Sequence, residues 1–101
     1  MGRSGRPAHV AVLRVDLDLP SCHTLKEKRG TLKSLLAGVQ REFACSAAEL
    51  DHLDDPRSGI IACAVVGNDA AHVQQVLQRI PRWIEGHRPD VVVVDHRIEI
   101  R

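Results

Sequence analysis

A strict alternation of apolar and charged residues near the start of the chain constrains the fold most strongly. Alternation with a period of two is typical of a β-strand that has one buried face and one solvated face. Pro20 ends the pattern. The segment Val10–Leu19 is therefore predicted to be a half-buried strand. Its apolar positions are Ala11, Leu13, Val15, Leu17 and Leu19, and its charged positions are Arg14, Asp16 and Asp18.

The spacing of apolar residues changes after Pro20. Thr24 and Glu27 have the Ser/Thr-x-x-Glu spacing of a capping box, which marks the start of a helix. Apolar residues then recur every three or four positions, so a helix is predicted from Thr24 to about Arg41. Its apolar stripe is Leu25, Leu32, Leu35, Leu36, Val39 and Phe43.

The second half of the chain predicts two more strands around a second helix. Ala44–Asp51 resembles a weak strand, and the continuous apolar run Ile60–Val66 is typical of a central one. Asn68 or Asp69 is expected to cap a helix that ends near Gly86. The apolar stripe of this helix is Val73, Val76, Leu77, Ile80, Trp83 and Ile84. Pro81 is expected to kink or divide this helix, because it removes an intrahelical hydrogen bond.

A last strand is predicted over Val91–Ile100. Alternation places Val92, Val94, His96, Ile98 and Ile100 on the inward side, so His96 is expected to be a core histidine.

The predicted order β-α-β-β-α-β is that of the ferredoxin-like plan. Two right-handed crossovers would place both helices on one face of a four-stranded antiparallel sheet, an α+β fold. We expect residues 1–8 to form a mobile tail and residues 9–101 to form a single ferredoxin-like domain.

Composition limits the function classes. The net charge is +1, so an electrostatic partner must be recognised by a local patch. Three cysteines without a C-x-x-C pair predict reduced thiols in a cytoplasmic protein, with Cys22 as the candidate reactive thiol. No apolar run approaches the length of a membrane span. No cofactor and no metal are predicted: the strand carboxylates Asp16 and Asp18 are expected to pair with arginines.

A basic cluster in the first predicted helix is the candidate nucleic-acid-binding site. Positive residues crowd the first turns, where they oppose only Glu27. If RNA binds there, we expect phosphate contacts. A solvated helix face is the alternative. The opposite sheet face is predicted to be acidic and free of aromatics, which argues against base stacking on the sheet. Besides Arg14 and Arg97, this face is predicted to carry Asp16, Asp18, Glu49, Asp51, Asp95 and Glu99. The cluster comprises Lys26, Lys28, Arg29 and Lys33.

The same helix start is a candidate anion site. Free N–H groups at a helix N-terminus bind phosphate or sulfate. Thr24, Lys26 and Arg29 would form the site, and the alternative is an ordinary capped helix.

Four short segments carry a family resemblance: Val15–Leu17, Leu25–Arg29, Glu49–His52 and Val66–Asp69. Together they resemble those of the YlxP-like family, a group of small bacterial proteins with a domain of unknown function. Leu25–Arg29 is the most specific, and the resemblance covers about residues 8–99. It implies a ferredoxin-like fold, and the position of the family's genes among translation and ribosome-maturation genes implies a link to RNA. It implies no catalytic residue.

Three hypotheses follow. The first is a non-enzymatic binding module for RNA or for a ribosome-associated protein, acting through the basic helix face. The second is a homo-oligomeric or small-ligand-binding domain that pairs sheet faces or edge strands. The third is a phosphoryl-handling enzyme of acylphosphatase-like fold, although the Gly-rich anion loop of such enzymes is not visible in this sequence.

Overall fold

The computed structural model describes residues 7–50 and 54–101. Most of the predicted tail, residues 1–8, therefore lies outside the described residues. The elements follow the predicted order. They are β1 (His9–Asp18), α1 (Leu25–Phe43), β2 (Ser46–Glu49), β3 (Ser58–Gly67), α2 (Ala70–His87) and β4 (Val92–Ile100).

The four strands form one antiparallel sheet in the order β2-β3-β1-β4. This order confirms the predicted α+β, ferredoxin-like arrangement. The central strand β1 pairs with β3 over its whole length and with β4 on its other side. As predicted, alternate residues of β1 are buried: Ala11, Leu13, Val15 and Leu17 are at most 2% exposed.

Both helices pack on the face of the sheet that these residues present. Leu32, Leu35 and Val39 of α1 are buried in the same cluster as the inward residues of β1 and β3. Four residues of α2, Val73, Leu77, Ile80 and Ile84, complete this core. The opposite face of the sheet carries no helix within the described chain, and it is referred to below as the open face.

Helix α1 begins as predicted. Thr24 is the N-cap, and its hydroxyl accepts a hydrogen bond from the Glu27 N–H at 3.1 Å. The Glu27 carboxylate accepts from the N–H groups of Thr24 and His23 in return. The His23 N–H is the main reason that the pKa of Glu27 lies below its ordinary value. The helix ends at Ala44, which adopts the left-handed conformation with φ 49°.

Helix α2 is not divided at Pro81. It runs unbroken from its N-cap Asp69 to His87, with Pro81 buried inside it. Because the helix is anchored on both sides of the proline by Leu77, Ile80 and Ile84, tertiary packing offsets the lost backbone hydrogen bond.

Strand β4 departs from the predicted alternation because it contains a β-bulge. Asp16 pairs with Asp95 but Leu17 pairs with Val93, so Val94 is an extra residue without a partner on β1. The residues of β4 that precede Val94 therefore face the opposite way from the predicted alternation. Val93 therefore packs against the core, whereas Val92 and Val94 are 49% and 57% exposed.

His96 is not a core histidine. It pairs with the buried Val15 but is itself exposed, because β4 is an edge strand of the sheet. Cys22, the candidate reactive thiol, is buried (2% exposed), and its sulfur lies 3.5 Å from the Thr31 hydroxyl oxygen. The turn before α1 folds back onto the core, which local sequence patterns do not reveal.

An ion pair joins the end of α2 to the chain that leads into β4. The Arg88 guanidinium donates to both carboxylate oxygens of Asp90, at 2.9 and 2.7 Å, and also to the Ser34 hydroxyl of α1. These bonds from Arg88 hold the pKa of Asp90 below its ordinary value. The pair therefore stabilises the fold above the ordinary carboxyl pKa, and this stabilisation is lost as the pH falls through the lowered value.

We expect Asp90→Asn to lower the free energy of unfolding by about 0.5–1 kcal/mol at pH 7, since the pair is partly exposed. The difference from the unsubstituted protein should shrink as the pH falls below about 4, because Asp90 then becomes neutral in both states. Urea denaturation at a series of pH values measures this. A difference that stays constant with pH would contradict the assignment.

Candidate nucleic-acid interface

Three of the four predicted basic residues form an exposed stripe on α1. Lys26, Arg29 and Lys33 are spaced three and four residues apart, so their side chains lie along one face of the helix. All three are exposed. This set is called the basic stripe below.

Lys28 does not belong to the basic stripe. It is 3% exposed, and its ammonium donates to the backbone carbonyl of Asp55 at 3.0 Å. Its position in the helix points towards the connection between β2 and β3, as expected for a residue offset from Lys26 and Arg29. Lys28 therefore holds the backbone at Asp55 against α1, and it is set apart from the nucleic-acid-binding candidates.

The predicted anion site at the start of α1 already contains a carboxylate. Glu27 Oε1 lies 2.8 Å from the His23 nitrogen and 3.0 Å from the Thr24 nitrogen, and the Thr24 hydroxyl is also in contact with it. The chain's own anion thus takes N–H groups that a phosphate would need. Of the predicted anion-binding residues, Lys26 and Arg29 keep exposed side chains, and both are part of the basic stripe.

The only two aromatic residues of the sequence meet in a groove between α1 and α2. The rings of Phe43 and Trp83 contact edge to face, with centroids 5.9 Å apart. The His87 imidazole stacks on the Trp83 ring at 4.7 Å and 17°. Gly38 makes room for this cluster, because a Cβ atom there would lie 3.2 Å from the Trp83 ring. The groove, of about 680 Å³, is called the aromatic groove below.

Polar groups surround these rings. The Arg79 guanidinium lies over the Phe43 ring, 5.7 Å from its centroid, and Arg82 lines the same groove. Such a guanidinium–ring contact is favourable, and it leaves N–H donors for a ligand. Gln75 and Gln78 add amide groups, and Glu42 is the acidic residue of the lining. The aromatic groove therefore combines ring faces with hydrogen-bond donors and positive charge.

A contact between Arg88 and Ser34 joins the end of α2 to α1 on the helical face. Lys33 of the stripe precedes Ser34, whose hydroxyl accepts from Arg88 at 3.3 Å. Arg88 in turn follows His87 of the groove. The imidazole is held in place by a 3.0 Å contact between its Nδ1 and the Trp83 carbonyl oxygen.

The open face has a different composition. Phe43 and Trp83 both lie on the helical side, so neither ring is available on the open face. Glu49, predicted to lie on this face, instead pairs with the buried Ile61 and lies on the helical side. Asp51, predicted beside it, lies outside the described residues. Arg101 adds a positive charge opposite Val10 and pairs with Glu99.

The thiols are poor nucleophiles in this environment. Burial raises the pKa of Cys63 to about 12, and it also raises the pKa of Cys45. Both remain protonated at neutral pH. Within residues 7–50 and 54–101, no three His, Cys, Asp or Glu side chains are grouped so that they could hold a metal ion. Neither helix of the described chain is long and apolar enough to cross a membrane.

The aromatic groove was not predicted from the sequence. Phe43 was assigned to the apolar stripe of the first helix and Trp83 to that of the second, which is correct for their backbone positions but hides their contact. The signal that could have revealed it is the clustering of Arg79, Arg82, Trp83 and His87 at three- and four-residue spacing on one helix. Phe43 joins this cluster only because the two helices pack against each other, which brings its ring into contact with Trp83 and Arg79.

We expect Lys28→Ala to lower the free energy of unfolding by about 1–3 kcal/mol, since it removes a buried donor and leaves the Asp55 carbonyl without it. Lys26→Ala, two positions away and exposed, is the matched control and should change it by less than about 0.5 kcal/mol. Urea denaturation of both variants measures the difference. Equal effects would show that Lys28 is not a structural residue.

Known proteins resemble this chain in sequence and in fold. "Uncharacterized protein YlxP" of Bacillus subtilis (strain 168) is 32% identical to the chain over 62 residues, which are 61% of this chain and 67% of that protein. Two solved structures share the fold: MupZ from Pseudomonas fluorescens and a de novo designed protein, Foldit4. Their TM-scores are 0.54 and 0.52 at 12% and 14% identity, and the alignments cover 88% and 94% of this chain and 69% and 97% of theirs.

The profile of one protein family spans nearly the whole described chain. It is the DUF503 profile, described as a protein of unknown function, and it matches residues 10–98. The match includes all four strands and both helices, apart from the first residue of β1 and the last two residues of β4. It agrees with the resemblance to the YlxP-like family. The chain belongs to the DUF503 family.

Proposed function

We propose that this protein is a non-enzymatic module that binds single-stranded RNA across the outer face of its two helices. The link to the translation or ribosome-maturation apparatus follows from the resemblance to the YlxP-like family. The observation that carries the proposal is the aromatic groove, in which the stacked rings of Trp83 and His87 lie with Arg79 and Arg82.

The basic stripe and the aromatic groove supply the two kinds of contact that a single strand needs. Proteins that bind single strands combine cations along the backbone with rings on which bases stack. Lys26, Arg29 and Lys33 supply exposed cations on one helix face. The aromatic groove supplies rings of Trp83 and His87 that are already stacked on each other.

A base would extend this stack on the outer side of His87. The imidazole is exposed, and its Nδ1 contact with the Trp83 carbonyl fixes the plane of the ring. A ring that is already oriented loses little conformational entropy on binding. Arg79 and Arg82 lie beside this position with donors for a phosphate, and Gln75 and Gln78 can contact base edges.

A duplex fits this surface less well. Bases in a duplex are stacked on each other and do not present their faces to the protein, so the rings of the aromatic groove would gain nothing from it. Phosphate contacts alone would remain. The proposal therefore predicts a preference for a single strand over a duplex of the same sequence.

The first test is the salt dependence of binding. A labelled single-stranded RNA of about ten nucleotides is titrated with the protein, and fluorescence anisotropy gives the affinity at several salt concentrations. Replacing Lys26, Arg29 and Lys33 with Gln should reduce the slope of log K against log salt by about 2, since each lost phosphate contact contributes about 0.7. No binding at low salt would remove the proposal.

The second test separates stacking from charge. His87→Ala should weaken binding roughly tenfold, as expected for the loss of one stacked base, and should change the salt slope less than the triple substitution does. Arg101→Gln is the matched control for Arg29→Gln, since each removes one exposed positive charge but Arg101 lies on the open face. Equal effects of these two would mean that net charge alone, without a site, attracts the RNA.

A further inference from the structure

Two rows of like charge lie side by side on the open face. Arg14 of β1 is directly opposite Arg97 of β4, and the next outward pair is Asp16 opposite Asp95. Like charges directly opposite each other destabilise a sheet. These pairs are called the arginine row and the aspartate row below. Together with His96 they line a shallow depression of about 210 Å³.

The ion pairs within one chain use only part of the hydrogen-bonding capacity of the two arginines. Arg14 Nε lies 3.1 Å from Asp16 Oδ1, and Arg97 Nε lies 3.5 Å from a Glu99 oxygen. These side chains are 39–67% exposed, so such pairs contribute little to stability. Each guanidinium carries five N–H donors, and these contacts use one of them.

We propose that the open face binds the open face of a second copy of this chain, about a twofold axis that crosses the strands between the two rows. This axis sets the arginine row of each copy over the aspartate row of the other. A twofold interface must be self-complementary, because each residue pair occurs twice. Two adjacent rows of equal and opposite charge meet this condition.

The rest of the open face suits close approach. A shallow hollow of about 190 Å³ lies beside the charged rows. It is lined by Val12 of β1 and by small residues of β2 and β3. Small side chains allow two sheets to approach to about 10 Å. The three long strands span roughly 500 Å² in projection at ordinary strand spacing. This is the same order as the ~800 Å² per partner of a standard interface. The hollow contains Ser46, Ala47, Ala48, Ala62, Cys63 and Ala64.

Other occupants match this face less well. A partner of one charge sign would satisfy one row and repel the other, and a nucleic acid would meet the aspartate row. Addition of a strand at the β4 edge is disfavoured, because the bulge at Val94 interrupts the regular hydrogen-bonding edge. The open face, rather than the β4 edge, is therefore the contact surface, and a second copy is the occupant.

Sedimentation velocity over a range of concentrations tests the proposal. The unsubstituted protein should form a dimer that high salt weakens. Arg14→Asp/Arg97→Asp makes both rows acidic, and Asp16→Arg/Asp95→Arg makes both rows basic. Each double variant alone should dimerise at least about a hundredfold more weakly, since like charges then face each other. An equimolar mixture of the two should recover dimers, because the acidic face of one fits the basic face of the other.

The control is Lys26→Asp/Lys33→Asp, which reverses two charges on the helical face and should leave dimerisation unchanged. If a charge-reversed variant fails to fold by circular dichroism, the neutral Arg14→Gln/Arg97→Gln variant replaces it and should also weaken the dimer. A monomer at all concentrations, a dimer that the row substitutions leave intact, or a mixture that does not associate would each overturn the proposal. RNA binding is measured separately, so its failure leaves this result unaffected.

Discussion

The one-sided burial of β1 is the constraint on which the rest of the structure depends. This strand is paired on both sides, so its backbone is fixed, and its side chains alternate between a buried and an exposed face. Ala11, Leu13, Val15 and Leu17 can leave water only if both helices cover the same side. At roughly 25 cal/mol per Å² of apolar surface, this burial far exceeds any exposed ion pair in the molecule.

The same alternation separates the charged residues of the sheet from those of the helices. Arg14 and Asp16 must point away from the helices, while the exposed sides of α1 and α2 carry the basic stripe and the arginines of the aromatic groove. Two surfaces of different chemistry result. The helical surface has rings and excess positive charge, whereas the open face has ordered rows of both signs. We propose that the first surface binds RNA and that the second binds another copy of the chain.

The sequence predicted features that local patterns determine. The alternation of β1, the capping box of Thr24 and Glu27 and the order of the elements depend on neighbours within a few residues, and all are present in the structure. The bulge at Val94 was not predicted, since Val91–Ile100 reads equally well as an unbroken alternation. Its cause lies in the pairing with β1, which a single strand does not encode.

The candidate site was harder to predict because it depends on distant contacts. Lys28 looked like its exposed neighbours, and only the fold brings its ammonium to the Asp55 carbonyl, twenty-seven residues away. Phe43 and Trp83 were each placed on the correct helix, but their contact depends on how the helices pack. The basic stripe was predictable, since Lys26, Arg29 and Lys33 share a face through helical geometry alone.

The central claim is that single-stranded RNA binds the helical face and not the open face. An amide-resolved NMR titration of the protein with a short single-stranded RNA tests this claim most directly. The account predicts that perturbed signals cluster on α1 from Lys26 to Ser34 and on α2 from Gln75 to Arg88, while signals of Arg14, Asp16, Asp95 and Arg97 stay in place. Perturbation centred on those four residues, with the two helices unaffected, would contradict it.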